Sequence, residues 1–302
     1  MSFKNAFKIL LSKFHFVWVL MLYLFIMAVI LSALSVTFLV PVIKSFMGAG
    51  IFDEFNSLFL MLFRGGNIID VFTQYNLIVE KIINLLKVDI KAFVNSALFL
   101  VLIAVIAYRF ILGLYVIPMN RIIEGSMVDN AIYPFSGMFI SHLKYSCYYS
   151  LMKMLITTIY DVIFISLIYY VVHLILQSSA YILAPFVFSL SLIIVLSFKY
   201  TLLAFWAPAI VTGKMGVCKA LRYSIIKGFK FFKSVFSLYI IVWTILLTFN
   251  LIIGLFSFGV GFIISIPISM MFLNILGMTI FFNRNTRKYY VEGKIYTPIT
   301  RY

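Results

Sequence analysis

Six long apolar stretches, each flanked by polar or charged residues, dominate the chain at 16–40, 94–116, 154–176, 181–207, 235–256 and 262–282. Each is long enough for a helix to cross about 30 Å of hydrocarbon, which takes roughly 20 residues. Alternation of apolar and polar positions over ten-residue strands is absent, so helices rather than barrel strands are expected. The pattern predicts an all-α polytopic membrane protein with six transmembrane helices, in a single integral membrane domain over 1–302. Between the first two spans, Phe72, Tyr75, Val79, Ile82 and Leu86 recur at helical spacing, with Thr73, Asn76, Glu80, Asn84, Lys87 and Lys91 opposite. Arg64-Gly65-Gly66-Asn67 separates this helix from a shorter apolar one, Ile51–Phe63. The pair in the 41–91 loop is expected to rest on the outer leaflet or cap the bundle; a lid over a cavity is the sharper reading.

The pattern also repeats. Leu143-Lys144-Tyr145-Ser146 precedes the third span and Leu221-Arg222-Tyr223-Ser224 the fifth, with a weaker echo in Ala6-Phe7-Lys8 before the first. Among the even spans, Arg109 stands nine residues before Pro118 and Lys199 nine before Pro208. The chain then reads as three units, each an amphipathic helix followed by a transmembrane hairpin. Such parallel repeats occur in transporters and in membrane scaffolds.

The basic inner loop 208–234 can be laid on a helical wheel. Lys219, Arg222, Lys227, Lys230 and Lys233 fall within an arc of about 140°. Val217, Ala220, Leu221, Ile225, Phe229, Phe231 and Phe232 take the other side, and no acid occurs between Lys214 and Lys233. A helix of this kind lies in the interface with its lysines toward anionic headgroups. Lys214 and the five bases that follow form a candidate surface for lipid headgroups or a protein partner. Each base near the surface is worth about 1 kcal/mol of lipid attraction. The plainer reading is that the bases only enforce topology; the two are compatible.

Composition narrows the class. The 302 residues are 64% hydrophobic and 11% charged, with mean hydropathy +1.13, whereas soluble domains are about 45–50% apolar and about 25% charged. The net charge of +15 lies along the membrane flanks, which argues against nucleic acid as its partner. Bases crowd both ends and the loops holding Arg121, Lys144 and Lys214, while the 41–91 loop balances five bases with five acids. Excess Lys and Arg mark the cytoplasmic side, so both termini are expected inside. The first apolar run is too long for a secretory signal and is expected to be a retained span. Cys147 and Cys218 both fall on the expected inner side and have no metal-ligand spacing.

Three ionisable side chains lie within the predicted spans: Arg109, Asp161 and Lys199. At 1.5 Å per residue each is about 12–13 Å from the inner boundary, if the prolines and Lys153 mark it. Charges there cost roughly 2.5–3.5 kcal/mol on insertion scales, and they often mark function. Arg and Lys can snorkel to the interface, but a short carboxylate cannot. Asp161 is therefore expected to pair with Lys199 or Arg109 in a charge network. His15 and His142 are expected at the inner interface and His173 near the outer one.

Catalytic signatures are missing. No Walker-type loop or His-Glu-x-x-His occurs. Glu124 and Asp129, the acids of the inner loop, have no His nearby for a general-base pair or metal site. No catalytic residue, metal or cofactor is expected.

Ala207-Pro208-Ala209-Ile210-Val211, Gly213, Gly216, Lys219-Ala220-Leu221-Arg222-Tyr223-Ser224 and Lys227-Gly228 resemble the inner loop of a loose set of bacterial six-helix membrane families. These include the membrane domain attached to some glycerophosphodiester phosphodiesterases. The resemblance implies a membrane domain without defined activity; the phosphodiesterase domain is missing, so no hydrolytic role carries over. The combined expectation is a non-enzymatic protein of a bacterial cytoplasmic membrane. It would bind anionic phospholipid or a protein partner through basic inner helices. The alternative is a permease, or the membrane subunit of a transporter, for a lipid-like cargo.

Overall fold

The computed structural model describes residues 2–65, 67–177 and 183–298. Its architecture is an all-α polytopic membrane fold. Among the described residues, six helical runs are long and apolar enough to cross a membrane: His15–Gly48, Phe93–Val128, Leu143–Leu176, Ala184–Val211, Phe232–Phe256 and Phe262–Arg284. Tyr181 and Ile182, which begin the predicted fourth span, and Arg301 lie outside the described residues. The chain divides into two compact units, one of residues 1–25 and 110–302, the other of Ile26–Arg109.

α1 (Ser2–Ser12), in the larger unit, leads into α2 (His15–Gly48), whose residues from Ile26 onward belong to the smaller unit. In the smaller unit, α3 (Ile51–Phe63) and α4 (Ile68–Val88) form a helical pair, followed by α5 (Ile90–Leu98) and a π-helical run, Phe99–Ala107. Ile51, Leu58 and Ile78 are their buried core, packed by Phe46, Val71, Ile82 and Leu85. A Lys81–Glu54 ion pair joins the two helices, and the Ser45 hydroxyl donates to Asp89 at 2.7 Å. The contact with α3 uses Val71, Ile78, Ile82 and Leu85 of α4; of the apolar face read from the sequence, Phe72 and Tyr75 are exposed, and the side chain of Leu86 lies outside the described set. Aliphatic residues took the protein contact. Apolar periodicity could not separate that face from an exposed aromatic one.

The larger unit continues through α6 (Tyr108–Leu114), α7 (Val116–Val128), α8 (Phe135–Ser141), α9 (Leu143–Leu176), α10 (Ala184–Leu203) and α11 (Trp206–Val211). It closes with α12 (Val217–Lys230), α13 (Phe232–Phe256), α14 (Phe262–Arg284) and a two-stranded hairpin, β1 (Tyr289–Val291) and β2 (Lys294–Tyr296). Pro118 and Pro208, which the sequence took as inner boundaries, do not end helical structure. Each is the third residue of a short helix, α7 or α11, where a missing N–H leaves no hydrogen bond unmade. The chain bends just before each proline and continues into a core. There α7, α11 and the second half of α14 pack on one another, and all six residues of α11 are buried.

Each helix that leads into an odd span packs on one member of this trio: α1 on α14, α9 on α7 and α12 on α11. Small residues make the close crossings possible. Ala6, Ser146, Ala220 and Ser224, all from the repeated motif, are fully buried. A Cβ on Gly113 would collide with Ser150, and one on Gly228 would come within 2.9 Å of the Thr201 carbonyl oxygen. Hydroxyls tie these crossings to the bends. Ser150 donates to the Phe110 carbonyl; Ser224 donates to the Leu202 carbonyl at 2.7 Å and accepts from the Phe205 N–H at 3.2 Å.

Two of the lead helices differ in extent from expectation. The third-span lead helix is continuous with its span in α9, because no Gly or Pro interrupts 143–176. The segment 214–233 is not one helix: Lys214 sits in a loop, α12 begins after Gly216, and Phe231 leaves helical geometry before Phe232 opens α13. The terminal hairpin was not foreseen, since its strands have only three residues each. Its turn uses Glu292 and Gly293 at positive φ, as a tight two-residue hairpin requires. Tyr289 is buried against α1 and α14, accepting from Asn5 Nδ2 at 2.8 Å and donating to Asn283 Oδ1 at 3.0 Å. Burial pushes its pKa up to about 12.

Candidate functional site

Two places in the larger unit gather the chemistry that the sequence singled out. The first lies between α9 and α10. Tyr160 on α9 donates to the Val195 carbonyl of α10 at 2.7 Å, which fixes the register of the two helices. Asp161, the next residue, then meets Lys199 one turn further along α10, with Nζ to Oδ1 at 2.7 Å. The two side chains are only 14% and 16% exposed. Lys199 also lies 5.8 Å above the Tyr160 ring, a placement that favours a cation. On the far side of α10, Tyr200 packs edge-on against Trp243 of α13.

Pairing answers most of the cost of placing either charge at this depth, since each supplies the other with a counter-ion and a hydrogen bond. Of the three predicted network residues, Asp161 and Lys199 are together; Arg109 is the last residue of the smaller unit. Sequence reasoning used Lys153 only as a boundary marker. It lies two turns before Asp161 on α9, close enough to Lys199 for their charges to interact, and its Nζ is 5.8 Å from the Tyr149 ring. The eight-residue spacing to Asp161 on one helix was the available signal.

The second place is α12 and its surroundings. Val217, Ala220, Ser224 and Gly228 form its buried stripe. Lys219, Arg222 and Lys230 are exposed, and so are Ile225, Ile226 and Phe229. Lys227 is partly buried, 5.5 Å over the Tyr223 ring. Phe231, at the break, is ringed by cations: Lys227 and Lys230 at 5.8 Å and Arg284 of α14 at 4.9 Å. Lys233, in the first turn of α13, is exposed. Five of the six predicted surface bases are exposed, therefore, and the sixth is drawn onto aromatic rings.

Lys214 stands apart from that face. It occupies the 212–216 loop with φ 50° and borders a cavity shared with Arg121 of α7 and with His142 and Tyr145 near the start of α9. Arg121 pairs with Glu124 at 2.7 Å, and the fold brings His142, which the sequence did not place near this acid, close enough for both charges to act on it. The sequence treated Arg121 only as a topology charge. Its position three residues after Pro118, with Lys214 six after Pro208, was the only hint that both follow the same kind of bend.

Among the described residues, no group of three or more His, Cys, Asp or Glu could hold a metal ion. Cys147 and Cys218 are free thiols, and Cys218 lies 3.1 Å from the Tyr148 hydroxyl. Set against protein-family models, curated proteins and solved structures, the chain finds no match in any of the three.

Proposed function

We propose that the chain is a non-enzymatic integral protein of a bacterial cytoplasmic membrane, with both termini inside, that binds anionic phospholipid through its basic inner helices. The observation that carries this reading is the surface of α12. Beside its buried stripe of small residues it exposes Lys219, Arg222 and Lys230 together with Ile225, Ile226 and Phe229. An amphipathic helix with these two outer faces sits at a headgroup boundary, apolar side toward acyl chains and bases toward phosphates. Phe231, with Lys227, Lys230 and Arg284 around it, extends the basic surface. The resemblance to the membrane domain of glycerophosphodiester phosphodiesterases belongs to this reading, as a resemblance to a membrane module.

The test is lipid enrichment. The full chain is reconstituted in nanodiscs from equal phosphatidylglycerol and phosphatidylcholine, and the lipids it retains after re-extraction are quantified. Wild-type protein should enrich phosphatidylglycerol. The Lys219→Gln/Arg222→Gln/Lys230→Gln variant should abolish that enrichment, since three bases near an anionic surface are together worth about 3 kcal/mol. Equal enrichment by the two proteins would refute the reading. A permease for a lipid-like cargo is the competing reading and rests on the Asp161–Lys199 pair; it requires Asp161→Asn to abolish transport in a protein that still folds.

A further inference from the structure

The basic end of the larger unit holds a cavity of about 170 Å³ that the α12 surface does not include. Its floor is apolar, with Ile117 and Ile210 buried, and its rim carries Arg121, His142, Tyr145 and Lys214. Sites for drug-sized ligands measure roughly 300–1,000 Å³, so this one suits a single small polar group.

The rim selects the charge of that group. Glu124 takes up one side of the Arg121 guanidinium, which orients the side chain and leaves further N–H donors for another acceptor. Burial and the nearby Arg121 hold the His142 pKa below its ordinary value, so the imidazole is neutral at pH 7. With Arg121 and Glu124 cancelling and His142 neutral, Lys214 leaves one net positive charge at the rim. That matches the single negative charge of a phosphodiester.

The backbone contributes as well. Lys214 is held at positive φ, a conformation of noticeable cost for a non-glycine residue, while the Met215 N–H bonds the Ala209 carbonyl at 3.2 Å across the loop. Gly216, also on the cavity wall, is the N-cap of α12. It makes no side-chain cap, and the first turn holds no acid. The partial positive charge of that helix end adds to the bases around the cavity.

We propose that this cavity binds one phosphate group, held by Arg121 and Lys214 with His142 and Tyr145 at its rim. The inference rests on the lipid-binding reading above only for the source of the phosphate, a phospholipid headgroup or a soluble phosphate. The site takes one group with defined donors, whereas the α12 face attracts lipid diffusely.

Native mass spectrometry and thermal melting of the full chain separate the cases. The probes are phosphatidylglycerol in mixed micelles and inorganic phosphate. The variants are Lys214→Asn, which tolerates positive φ, and Tyr145→Phe, which keeps the ring should the first variant fold poorly. One phosphatidylglycerol that survives activation and falls in occupancy by about tenfold in Lys214→Asn, the loss expected for a charge-assisted hydrogen bond, supports a headgroup site. Inorganic phosphate that raises the melting temperature of wild type and not of the variants, with no lipid retained, supports a soluble phosphate. Lipid lost from the Lys219/Arg222/Lys230 variant yet kept by Lys214→Asn and Tyr145→Phe overturns the cavity site and leaves the lipid reading standing. No binding of either probe by wild type overturns the cavity site, whereas equal affinity for phosphatidylcholine, which has the same phosphodiester, overturns the anionic-lipid reading alone.

Discussion

The spans α9 and α14 are nearly equal in apolarity, with mean hydropathy 2.1 and 2.0 over their defining windows, yet those windows are 6% and 56% buried within the protein. In α9 three of the four buried residues, Ser146, Tyr149 and Ser150, fall in its first eight positions. In α14 the second half is buried almost throughout, from Met271 to Phe282, where it meets α7 and α11. Hydropathy reports only that a helix avoids water. Whether lipid or protein does the covering depends on small residues and bends that let helices approach, and these gather at the basic end of the larger unit. That end is packed like the core of a soluble domain, whereas the remaining length of the spans exposes branched and aromatic side chains.

The sharpest way to break this comparison is to remove a large side chain from each region. Trp206 is 1% exposed and donates to the Val217 carbonyl at 3.0 Å, whereas Trp18 is 55% exposed. Trp206→Ala should cost about 3–5 kcal/mol, and Trp18→Ala much less, as measured by melting in detergent micelles. Next in size, Asp161→Asn strips Lys199 of its counter-ion and should cost about 3 kcal/mol. The exchange Asp161→Lys with Lys199→Asp should recover most of that loss, an outcome a purely one-sided role for Asp161 does not allow. Gly228→Ala should cost about 2 kcal/mol, because the new methyl meets the backbone at Thr201 and Leu202. Gly113→Ala should cost at least as much, since its new methyl would lie 2.8 Å from the Ser150 Cα, which no side-chain rotation relieves.

The smallest effect is that of pH. His142 has its folded pKa lowered, by burial first and Arg121 second, with Glu124 opposing. The unfolded chain therefore takes up a proton first as pH falls through about 6.5, so stability present above that pH declines below it. Melting curves between pH 7.5 and 5.5 should show a slope that His142→Gln reduces.

The six spans were legible because a run of about 20 apolar residues has few other uses. The repeated Tyr-Ser motif was legible too, and its meaning is physical: Ser146 and Ser224 are the small buried residues at helix crossings. The trio of α7, α11 and α14 was not, because Pro118 and Pro208 read equally well as the end of a span or as the first turn of a new helix. The packing face of α4 was hidden for a related reason, since it has apolar residues on more than one side. Within the intramembrane site, Asp161 and Lys199 stood out as charges in apolar runs. Lys153, Tyr160 and the cavity near Arg121 did not, since only the fold brings their partners close.

Tryptophan fluorescence quenched by brominated phospholipid tests the contrast between the two regions most directly, because the three tryptophans of the chain occupy different surroundings. In variants that keep a single tryptophan, Trp18 should be quenched strongly, Trp243 to an intermediate degree, and Trp206 scarcely at all. Quenching of Trp206 as strong as that of Trp18 would contradict a protein-packed basic end, and with it the arrangement of α7, α11 and α14 on which the site depends.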